Sequence, residues 1–280
     1  MLQIGQQFRD YIIEREIGQG GMGVVYLVRR VEAELFAIQG YRALKVIQGQ
    51  GVHADTFQKL FIKEAINGIK LSEYNHPNLV KVIDYYNDQG FKAILMEYVD
   101  GISLDTINQI RLKQILSVIG PVCKALDFMH SKGTIHRDIK PENVMLGDYE
   151  EVYLLDWGIA IAVDDRYQSW IPTTQKSKGV AGTPSYIAPE MLGAETLSIQ
   201  SDIYLLGAIL YELAEGKPPH EGIEMDKLQE HCQHFIPTFE HAPTRLQSIV
   251  QKAMSIDPKD RYEGVEILQQ DIHTLLRYLD

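Results

Sequence analysis

Cysteine is scarce in this chain of 280 residues, which contains only Cys123 and Cys232. The two cysteines lie far apart in the sequence, and neither belongs to a Cys-x-x-Cys pair. This usage argues against a disulfide framework and favours a reducing, cytoplasmic compartment.

Basic residues and long apolar runs are also in short supply. The chain has 27 Lys and Arg against 38 Asp and Glu, a net charge of −11 at pH 7, which is unfavourable for binding nucleic acid or anionic membranes. The longest apolar run, around residues 205–213, is interrupted by Glu212 and is too short to span a bilayer. No basic-then-apolar leader opens the chain. We therefore expect no nucleic-acid partner and no membrane segment in this chain.

The remaining composition is that of an ordinary globular protein. Hydrophobic residues make up 45% of the chain and charged residues 23%. A chain of this length can bury a substantial core, as one large domain or as two lobes.

The most informative stretch is Ile135–Asn143, with the sequence IHRDIKPEN, in which Lys140 and Asn143 follow Asp138 by two and five residues. Phosphoryl transfer from a nucleotide to a hydroxyl uses this set of groups. Asp138 would accept or orient the hydroxyl proton, Lys140 would neutralise the phosphoryl charge, and Asn143 would offer an amide oxygen to magnesium. An isolated His-Arg-Asp is more typical of a polar loop, but three further motifs appear in the chain in the required order.

Three glycines, Gly18, Gly20 and Gly23, lie between the β-rich runs 11–13 and 24–28. Without Cβ atoms, a backbone turn can approach phosphates with its N–H groups facing the charge. The pattern alone also fits a flexible hairpin turn, or a dinucleotide-binding turn, which needs a helix directly after the third glycine. Because the chain continues as a strand, we predict a hairpin that covers the phosphates of a nucleotide.

Lys45 lies in the apolar strand Arg42–Ile47, where an unpaired ammonium group is costly to bury. We predict an ion pair with Glu64, in a helix over about residues 55–74, that aims Lys45 at the α and β phosphates. In the alternative interpretation, Lys45 extends to solvent and Glu64 lies on a solvated helix face. The connection over residues 32–40 is predicted to be extended.

The run Val152–Leu155 is predicted to be a short strand ending at Asp156-Trp157-Gly158. This tripeptide alone is typical of a turn, but its place after Asp138 indicates that Asp156 chelates magnesium bridging the phosphates. Farther along, Glu190 and Arg261 are predicted to form a structural ion pair, which matters for stability only if it is buried. The stretch 231–234 (HCQH) lacks the second ligand pair of a zinc site and is interpreted as a helix face.

Together these motifs resemble the eukaryotic-like protein kinases, most closely the bacterial Ser/Thr kinases, from Tyr11 to about Leu276. The resemblance implies an α+β bilobal fold with ATP between the lobes. Residues 1–99 would form an antiparallel β-sheet lobe with one main helix, and residues 100–280 a mostly helical lobe. It also implies Mg²⁺ as the metal, with Mn²⁺ as an alternative.

The resemblance further implies a set of site residues. The catalytic groups would be Asp138, Lys140, Lys45 and Glu64, and the metal ligands Asn143 and Asp156. The adenine would bond to the backbone at Glu97 and Val99, with Met96 guarding the pocket behind it. The other nucleotide-binding residues would be Ile17, Gly18, Gly20, Gly23, Val25, Ala43, Lys45 and Met145.

The acceptor class follows from Lys140 and from Gly182-Thr183-Pro184, which look like the Ser/Thr-directed branch, where Thr183 would bond Asp138 and Lys140. The implied activity is transfer of the γ-phosphoryl group of ATP to Ser and Thr of proteins, including a second copy of this chain in a homodimer. The alternative is a catalytically silent pseudokinase scaffold. Such proteins typically lose the equivalent of Lys45, Asp138 or Asp156, and this chain keeps all three.

Two departures from the family pattern concern regulation and packing. Trp157 stands where relatives usually carry Phe. Ile161 replaces a second basic residue that commonly accompanies Arg137 in binding an activating phosphate, and Gly179 stands where relatives often carry a phosphorylated threonine. Thr173, Thr174 and Ser177 are the remaining candidate phosphorylation sites, in a loop that can equally be only a flexible linker. Glu142 and Glu212 match positions that in some relatives favour a basic residue ahead of the acceptor, although Glu142 can equally serve only to solvate the loop.

Overall fold

The protein divides into two compact units, Met1–Asp100 and Gly101–Asp280, in a computed structural model. The structure describes residues 1–20, 23–47, 54–107, 111–163, 181–193 and 196–278. Over these ranges, no helix combines the length and the apolar character needed to cross a membrane.

The first unit is built on a six-stranded antiparallel sheet with the order β1-β2-β3-β4-β6-β5. The helix α2 (Ala54–Ser72) packs against β4 and β5, and a short helix, α1 (Ala33–Gln39), connects β3 to β4. The strands are β1 (Gln7–Phe8), β2 (Tyr11–Gly20), β3 (Gly23–Arg30), β4 (Arg42–Ile47), β5 (Val82–Asp88) and β6 (Phe91–Glu97).

Alternation along the strands gives this sheet two distinct faces. One face carries the hydrophobic core of the unit, made of Leu2, Phe8, Tyr11, Ile13, Val24, Tyr26, Val28, Leu44, Val46, Ala93 and Leu95. The residues between these core positions point to the opposite face. They include Val25, which lies opposite Lys45, and Ala43, which lies opposite Met96. The sheet register therefore brings these four candidate nucleotide-site residues to one face.

The connection over residues 32–40 was predicted to be extended, and this prediction is wrong, because it contains α1. The helix ends at Gly40, whose φ of 65° lies in the left-handed region and whose N–H donates to the Phe36 carbonyl at 2.8 Å. No residue of α1 is buried. With only seven residues, the helix is too short for a repeat of apolar residues at helical spacing to identify it in the sequence.

The second unit is mostly helical. The helix α5 is buried from Ser201 to Tyr211 and packs on α7, while α3 packs on α8. The helices are α3 (Leu112–Ser131), α4 (Pro189–Leu192), α5 (Ile199–Glu215), α6 (Met225–Cys232), α7 (Thr244–Ala253) and α8 (Val265–Arg277). Two small antiparallel sheets accompany them, β7 (Gly101–Ser103) with β9 (Val144–Gly147) and β10 (Val152–Leu154), and β8 (Thr134–Ile135) with β11 (Ile161–Ala162).

Both cysteines lie inside this unit as free, buried thiols. Burial raises the pKa of the Cys123 thiol far above its usual value and raises the pKa of Cys232 to about 12. Because the thiolate is the reactive form, neither cysteine is a nucleophile at neutral pH.

The predicted ion pair between Glu190 and Arg261 is confirmed and is buried. Arg261 Nη1 lies 2.6 Å from Glu190 Oε1, and Nη2 lies 2.8 Å from Oε2, a bidentate arrangement with side-chain exposures of 0% and 1%. The remaining guanidinium hydrogens reach the carbonyls of Ser255, Gln200 and Ile256. All five N–H groups of this arginine therefore have acceptors.

A buried histidine lies close to this pair. His220 Nε2 is 3.0 Å from the Tyr204 hydroxyl, and its ring contacts those of His231 and Phe235 with centroids 5.2 and 4.9 Å away. Burial, reinforced by the charge of His231, lowers the pKa of His220 to about 4 from its usual 6.5. The folded protein therefore holds this histidine neutral.

We expect His220 to make the protein acid-sensitive. As the pH falls from about 6.5 to about 4, the unfolded chain binds a proton that the folded protein refuses, so stability is lost across this window. At 1.36 kcal/mol per pKa unit, the loss is about 3 kcal/mol. Urea unfolding between pH 7 and pH 4 should show the wild type losing about this much more stability than His220→Gln. The exposed His273, changed to Gln, is the matched control, and parallel curves for wild type and His220→Gln would contradict the expectation.

Candidate active site

Asp202, in the first turn of α5, holds the loop between β8 and β9 through hydrogen bonds from the loop backbone to its carboxylate. The two oxygens of this buried carboxylate accept the N–H groups of His136 at 2.8 Å and Arg137 at 2.9 Å, and Oδ2 lies 2.9 Å from His130 Nε2. Burial alone would raise the pKa of Asp202. The hydrogen bond and charge of His130 and the hydrogen bond from the Arg137 N–H together outweigh burial, and the pKa is lowered. Asp202 is therefore ionised at neutral pH and fixes the start of the loop.

Asp202 was given no role in the sequence analysis. The backbone it holds is unusual, because Arg137 has a φ of 73°, in the left-handed region that is costly for a residue with a side chain. The hydrogen bond from the Arg137 N–H to Asp202 helps to stabilise that conformation. A carboxylate in the first turn of an otherwise apolar helix was the available signal.

His136 links this loop to the end of β10. Its Nε2 lies 2.9 Å from the Leu155 carbonyl, and its Nδ1 accepts the Asp138 N–H at 3.2 Å. Because a carbonyl only accepts, the ring proton belongs on Nε2. The ring also meets Trp157 edge-on, with centroids 5.0 Å apart. His136 thus couples the position of Asp138 to the strand end that carries Asp156.

The Asp138 carboxylate lies in a closed network of four side chains. Thr183 Oγ1 donates to Asp138 Oδ1 at 2.7 Å and accepts from Lys140 Nζ at 2.9 Å. Lys140 Nζ is also 3.6 Å from Asp138 Oδ2. Asn143 Nδ2 donates to the Asp138 carbonyl at 2.7 Å and to Oδ2 at 3.1 Å. The fold therefore brings together Asp138, Lys140, Asn143 and Thr183, in the pairing that was expected of Thr183.

The donor set fits a hard divalent cation. Asn143 Nδ2 is turned toward Asp138, which leaves the amide oxygen as the atom that can bind a cation. The Asn143 carbonyl accepts the Leu155 N–H at 2.9 Å, directly before Asp156. The described residues contain no cluster of three or more His, Cys, Asp or Glu suited to a metal. One carboxylate and one amide oxygen suit a cation whose other ligands are phosphate oxygens and water.

Asp156 is held in a strained backbone conformation of its own. Its φ is 64°, and its Oδ1 accepts the Gly158 N–H at 3.0 Å. Non-glycine residues at positive φ are uncommon and concentrate at functional sites. Here the hydrogen bond from the Gly158 backbone N–H orients the Asp156 carboxylate.

In the first unit, Lys45 and Glu64 form the expected ion pair. The Nζ and Oε1 atoms are 2.6 Å apart, and the side chains are 13% and 5% exposed. The alternative, in which Lys45 extends to solvent, is therefore wrong. The ammonium group is held on the sheet face opposite the core, where Val25 is its cross-strand neighbour.

The glycine turn is a hairpin, because β2 ends at Gly20 and β3 begins at its partner Gly23. The strand that follows excludes a dinucleotide-binding turn, which requires a helix there. A Cβ at Gly23 would collide with the Val46 carbonyl, so glycine is needed here for the close approach of β3 and β4. At Gly18, a Cβ would meet only Val25 Cβ, at 4.0 Å.

The candidate adenine-binding residues lie at the end of β6. The Glu97 N–H already donates to the Lys81 carbonyl at 2.9 Å, so this N–H is not the group offered to a nucleobase edge. Val99 lies beyond the strand, and its N–H makes no backbone hydrogen bond within the described residues. Ile17 is half-buried on β2, while Met145 lies in β9 of the second unit, opposite Ser103 and Tyr153.

The candidate regulatory positions Thr173, Thr174 and Ser177 lie outside the described residues. Arg137 is described and is buried, with Nη1 donating to the Ile159 carbonyl at 3.3 Å. Burial lowers the pKa of its guanidinium, and the charge of Asp202 opposes this shift. Its Nε has no hydrogen-bond partner among the described residues.

Comparison with known proteins agrees with this geometry. The sequence profile described as "Protein kinase domain" matches residues 11–272. The chain is 33% identical to a probable serine/threonine-protein kinase PknB of Lactococcus lactis, over 98% of this chain and 43% of that protein. It is 32% identical to the serine/threonine-protein kinase PknB of Mycolicibacterium smegmatis, over 94% and 42%. It is 31% identical to the serine/threonine-protein kinase PknD of Chlamydia abortus, over 96% and 31%.

The chain thus spans less than half the length of these curated relatives. Their similarity nevertheless extends across nearly the whole of this chain, and the α+β protein-kinase fold predicted from the motifs is confirmed. The chain belongs to the protein kinase domain family.

Proposed function

We propose that this chain transfers the γ-phosphoryl group of ATP to serine and threonine hydroxyls of proteins. The observation that carries this proposal is the network in which Thr183 joins Asp138 to Lys140 while Asn143 orients the same carboxylate. The relatives named as serine/threonine-protein kinases support the acceptor class.

In this mechanism Asp138 orients the acceptor hydroxyl and receives its proton. Thr183 donates to one carboxylate oxygen and Asn143 to the other, so the two bonds together fix the orientation in which the carboxylate would meet the acceptor. Lys140 neutralises charge on the transferring phosphoryl, and Lys45, held by Glu64, neutralises charge on the remaining phosphates. Catalysis then consists mainly of positioning and electrostatic stabilisation.

Asn143 and Asp156 would hold Mg²⁺, with Mn²⁺ as an alternative, through an amide oxygen and a carboxylate. The metal supplies neutralisation of phosphate charge when it is bound. The nucleotide would contact the glycine turn and the sheet face that carries Lys45. The proposed contacts are Ile17, Gly18, Gly20, Gly23, Val25, Ala43, Lys45, Met96, Glu97 and Val99 from the first unit, and Met145 from the second.

The proposal includes the cytoplasm as the place of action, because ATP is the phosphoryl donor. It also includes a second copy of this chain as one acceptor, through a homodimer. Labelled phosphate appearing in an inactive copy mixed with active enzyme would support transfer between copies.

The test is incubation of the protein with γ-labelled ATP, Mg²⁺ or Mn²⁺, and a generic basic protein, followed by phosphoamino-acid analysis. We expect metal-dependent label on serine and threonine, and far less label with the Asp138→Asn variant. Binding of nucleotide without any transfer would instead indicate a pseudokinase scaffold. Equal transfer by both forms would refute the proposed role of Asp138.

An acidic group beside the loop bears on the acceptor sequence. Glu212 Oε2 accepts the Tyr186 hydroxyl at 2.8 Å. Burial raises the pKa of Glu212, and the charges of Glu142, Asp105 and Glu221 raise it further against the opposing effect of Tyr186. These carboxylates repel one another, so a cationic side chain of the acceptor peptide would relieve the repulsion.

We therefore expect Glu212→Gln to raise KM for a peptide with arginine ahead of the acceptor by about threefold to tenfold. A peptide with alanine in place of that arginine should be unaffected. The preference for arginine should fade as the pH falls, beginning at a higher pH than for an ordinary glutamate, because the pKa of Glu212 is raised. Peptide kinetics at several pH values measure this, with the exposed Glu263→Gln as control. An unchanged arginine preference in Glu212→Gln would contradict the assignment.

A further inference from the structure

Tyr98 lies between Glu97 and Val99, the two residues proposed to contact adenine, and its side chain is held at three points. Its hydroxyl donates to Asp100 Oδ1 at 3.0 Å and lies 3.5 Å from Arg15 Nη2. Its ring meets that of Tyr41 edge-on, with centroids 6.4 Å apart and an interplanar angle of 77°. Such edge-to-face pairs are favourable because the positive edge of one ring faces the negative face of the other.

The sheet register explains why Tyr41 reaches this place. In the antiparallel ladder of β4 and β6, Arg42 lies opposite Glu97. Continuing the register by one residue places Tyr41 opposite Tyr98, just beyond the end of the ladder. Tyr41 in turn packs against Phe36 of α1, with ring centroids 5.0 Å apart and an angle of 66°. Three rings therefore lead in series from α1 to the backbone between Glu97 and Val99.

The end of α1, where this series of rings begins, is hydrogen-bonded to the sheet. Gln39, the last residue of α1, accepts Arg30 Nε from β3 through its Oε1 at 3.3 Å. Arg42 of β4 donates Nη1 to the carbonyls of Gln39 and, at 2.8 Å, Tyr41. The helix is thus tied to the strands on both sides of it, although none of its residues is buried.

We propose that α1, acting through Tyr41 and Tyr98, positions the backbone that receives adenine. Tyr41 and Tyr98 are positioning residues in this scheme, since it is the backbone of Glu97 and Val99 that would touch the base. Val99 lies outside the sheet ladder, so the orientation of its N–H depends on the side chains that hold its neighbour Tyr98. The role in adenine binding rests on the function proposed above, whereas the ordering of the backbone does not.

The first measurement needs no nucleotide. Backbone hydrogen exchange at Glu97, whose N–H is bonded to the Lys81 carbonyl, should be about threefold to tenfold faster in Tyr41→Ala than in wild type, the size of effect expected from losing one aromatic pair. Tyr41 is 41% exposed, so truncation leaves the core untouched. Tyr41→Phe keeps the ring and should restore the wild-type exchange rate. Ile38→Ala, on the same helix with an 81% exposed side chain, is the matched control.

The second measurement is kinetic. In Tyr41→Ala, KM for ATP should rise about threefold to tenfold, while kcat and KM for the acceptor peptide stay within about twofold. A merely structural role would lower the amount of folded enzyme, and so kcat, without changing KM for ATP. Restoration of KM by Tyr41→Phe would distinguish ring packing from general destabilisation.

The outcomes separate this inference from the proposed function. Unchanged exchange at Glu97 in Tyr41→Ala would overturn the positioning role. Faster exchange with an unchanged KM for ATP in an active enzyme would overturn the link to adenine. A wild type that binds no nucleotide would refute the proposed function and that link together, while faster exchange in Tyr41→Ala would still support the ordering of the backbone by α1.

Discussion

Replacing Asp138 with Asn is expected to lower kcat by about 10²–10⁴-fold, the usual contribution of a positioned general base. The substitution keeps the shape of the side chain but removes the charge that is proposed to receive the acceptor proton. It also weakens the attraction of Lys140, whose Nζ lies 3.6 Å from Oδ2. Steady-state transfer to a peptide measures the effect, together with the melting temperature of each variant.

The matched control is Asp148→Asn, an exposed aspartate in the same unit. It makes the same chemical change outside the network and should leave kcat within about twofold of wild type. A melting temperature for Asp138→Asn close to that of wild type would assign the loss to chemistry. If Asp138→Asn retained more than about a tenth of the wild-type kcat, another group would have to be the proton acceptor.

Replacing Glu190 with Ala is expected to destabilise the second unit by about 3–5 kcal/mol, because it leaves the guanidinium of Arg261 buried with two donors unsatisfied. For a unit of this size, the loss corresponds to a fall in melting temperature of roughly 10 °C. Trp157 belongs to this unit and is 2% exposed, so its fluorescence during urea unfolding reports the stability of the second unit.

An exposed pair gives the contrast. Lys227 and Glu224 lie 2.7 Å apart, with side chains 69% and 70% exposed, so Glu224→Ala should cost less than about 1 kcal/mol. The double variant Glu190→Leu/Arg261→Met should be more stable than Glu190→Ala, since it removes the buried charge along with its partner. Equal costs for Glu190→Ala and Glu224→Ala would show that burial does not govern the strength of the Glu190 pair.

Much of the site could be predicted because the residue types in its segments impose local structural requirements. A lysine inside an apolar strand, such as Lys45, requires a partner, and a carboxylate on the adjacent helix, Glu64, is that partner. Glycines before a continuing strand require a hairpin, and the chain forms one between Gly20 and Gly23. In each case the cost of the wrong arrangement is local and can be estimated from the residue type. The roles of these residues in catalysis stay predictions until the experiments above are done.

What could not be predicted depends on partners remote in sequence. Nothing near Asp202 indicates that its carboxylate accepts backbone N–H groups from residues 65 and 66 positions earlier. The helix α1 could not be predicted from the sequence either, because it buries none of its residues. It is held by contacts with residues outside it, namely Tyr41, Arg30 and Arg42. Such features are set by tertiary packing and not by local propensity.

The burial of Cys123 and Cys232 has a practical consequence. Since both thiols stay protonated and enclosed, electrophilic warheads and maleimide dyes have no native target on the folded chain. A single cysteine placed at an accessible position, such as that of Tyr149, would consequently take up a label alone. The natural sequence thus already provides the silent background that site-specific spectroscopic probes require.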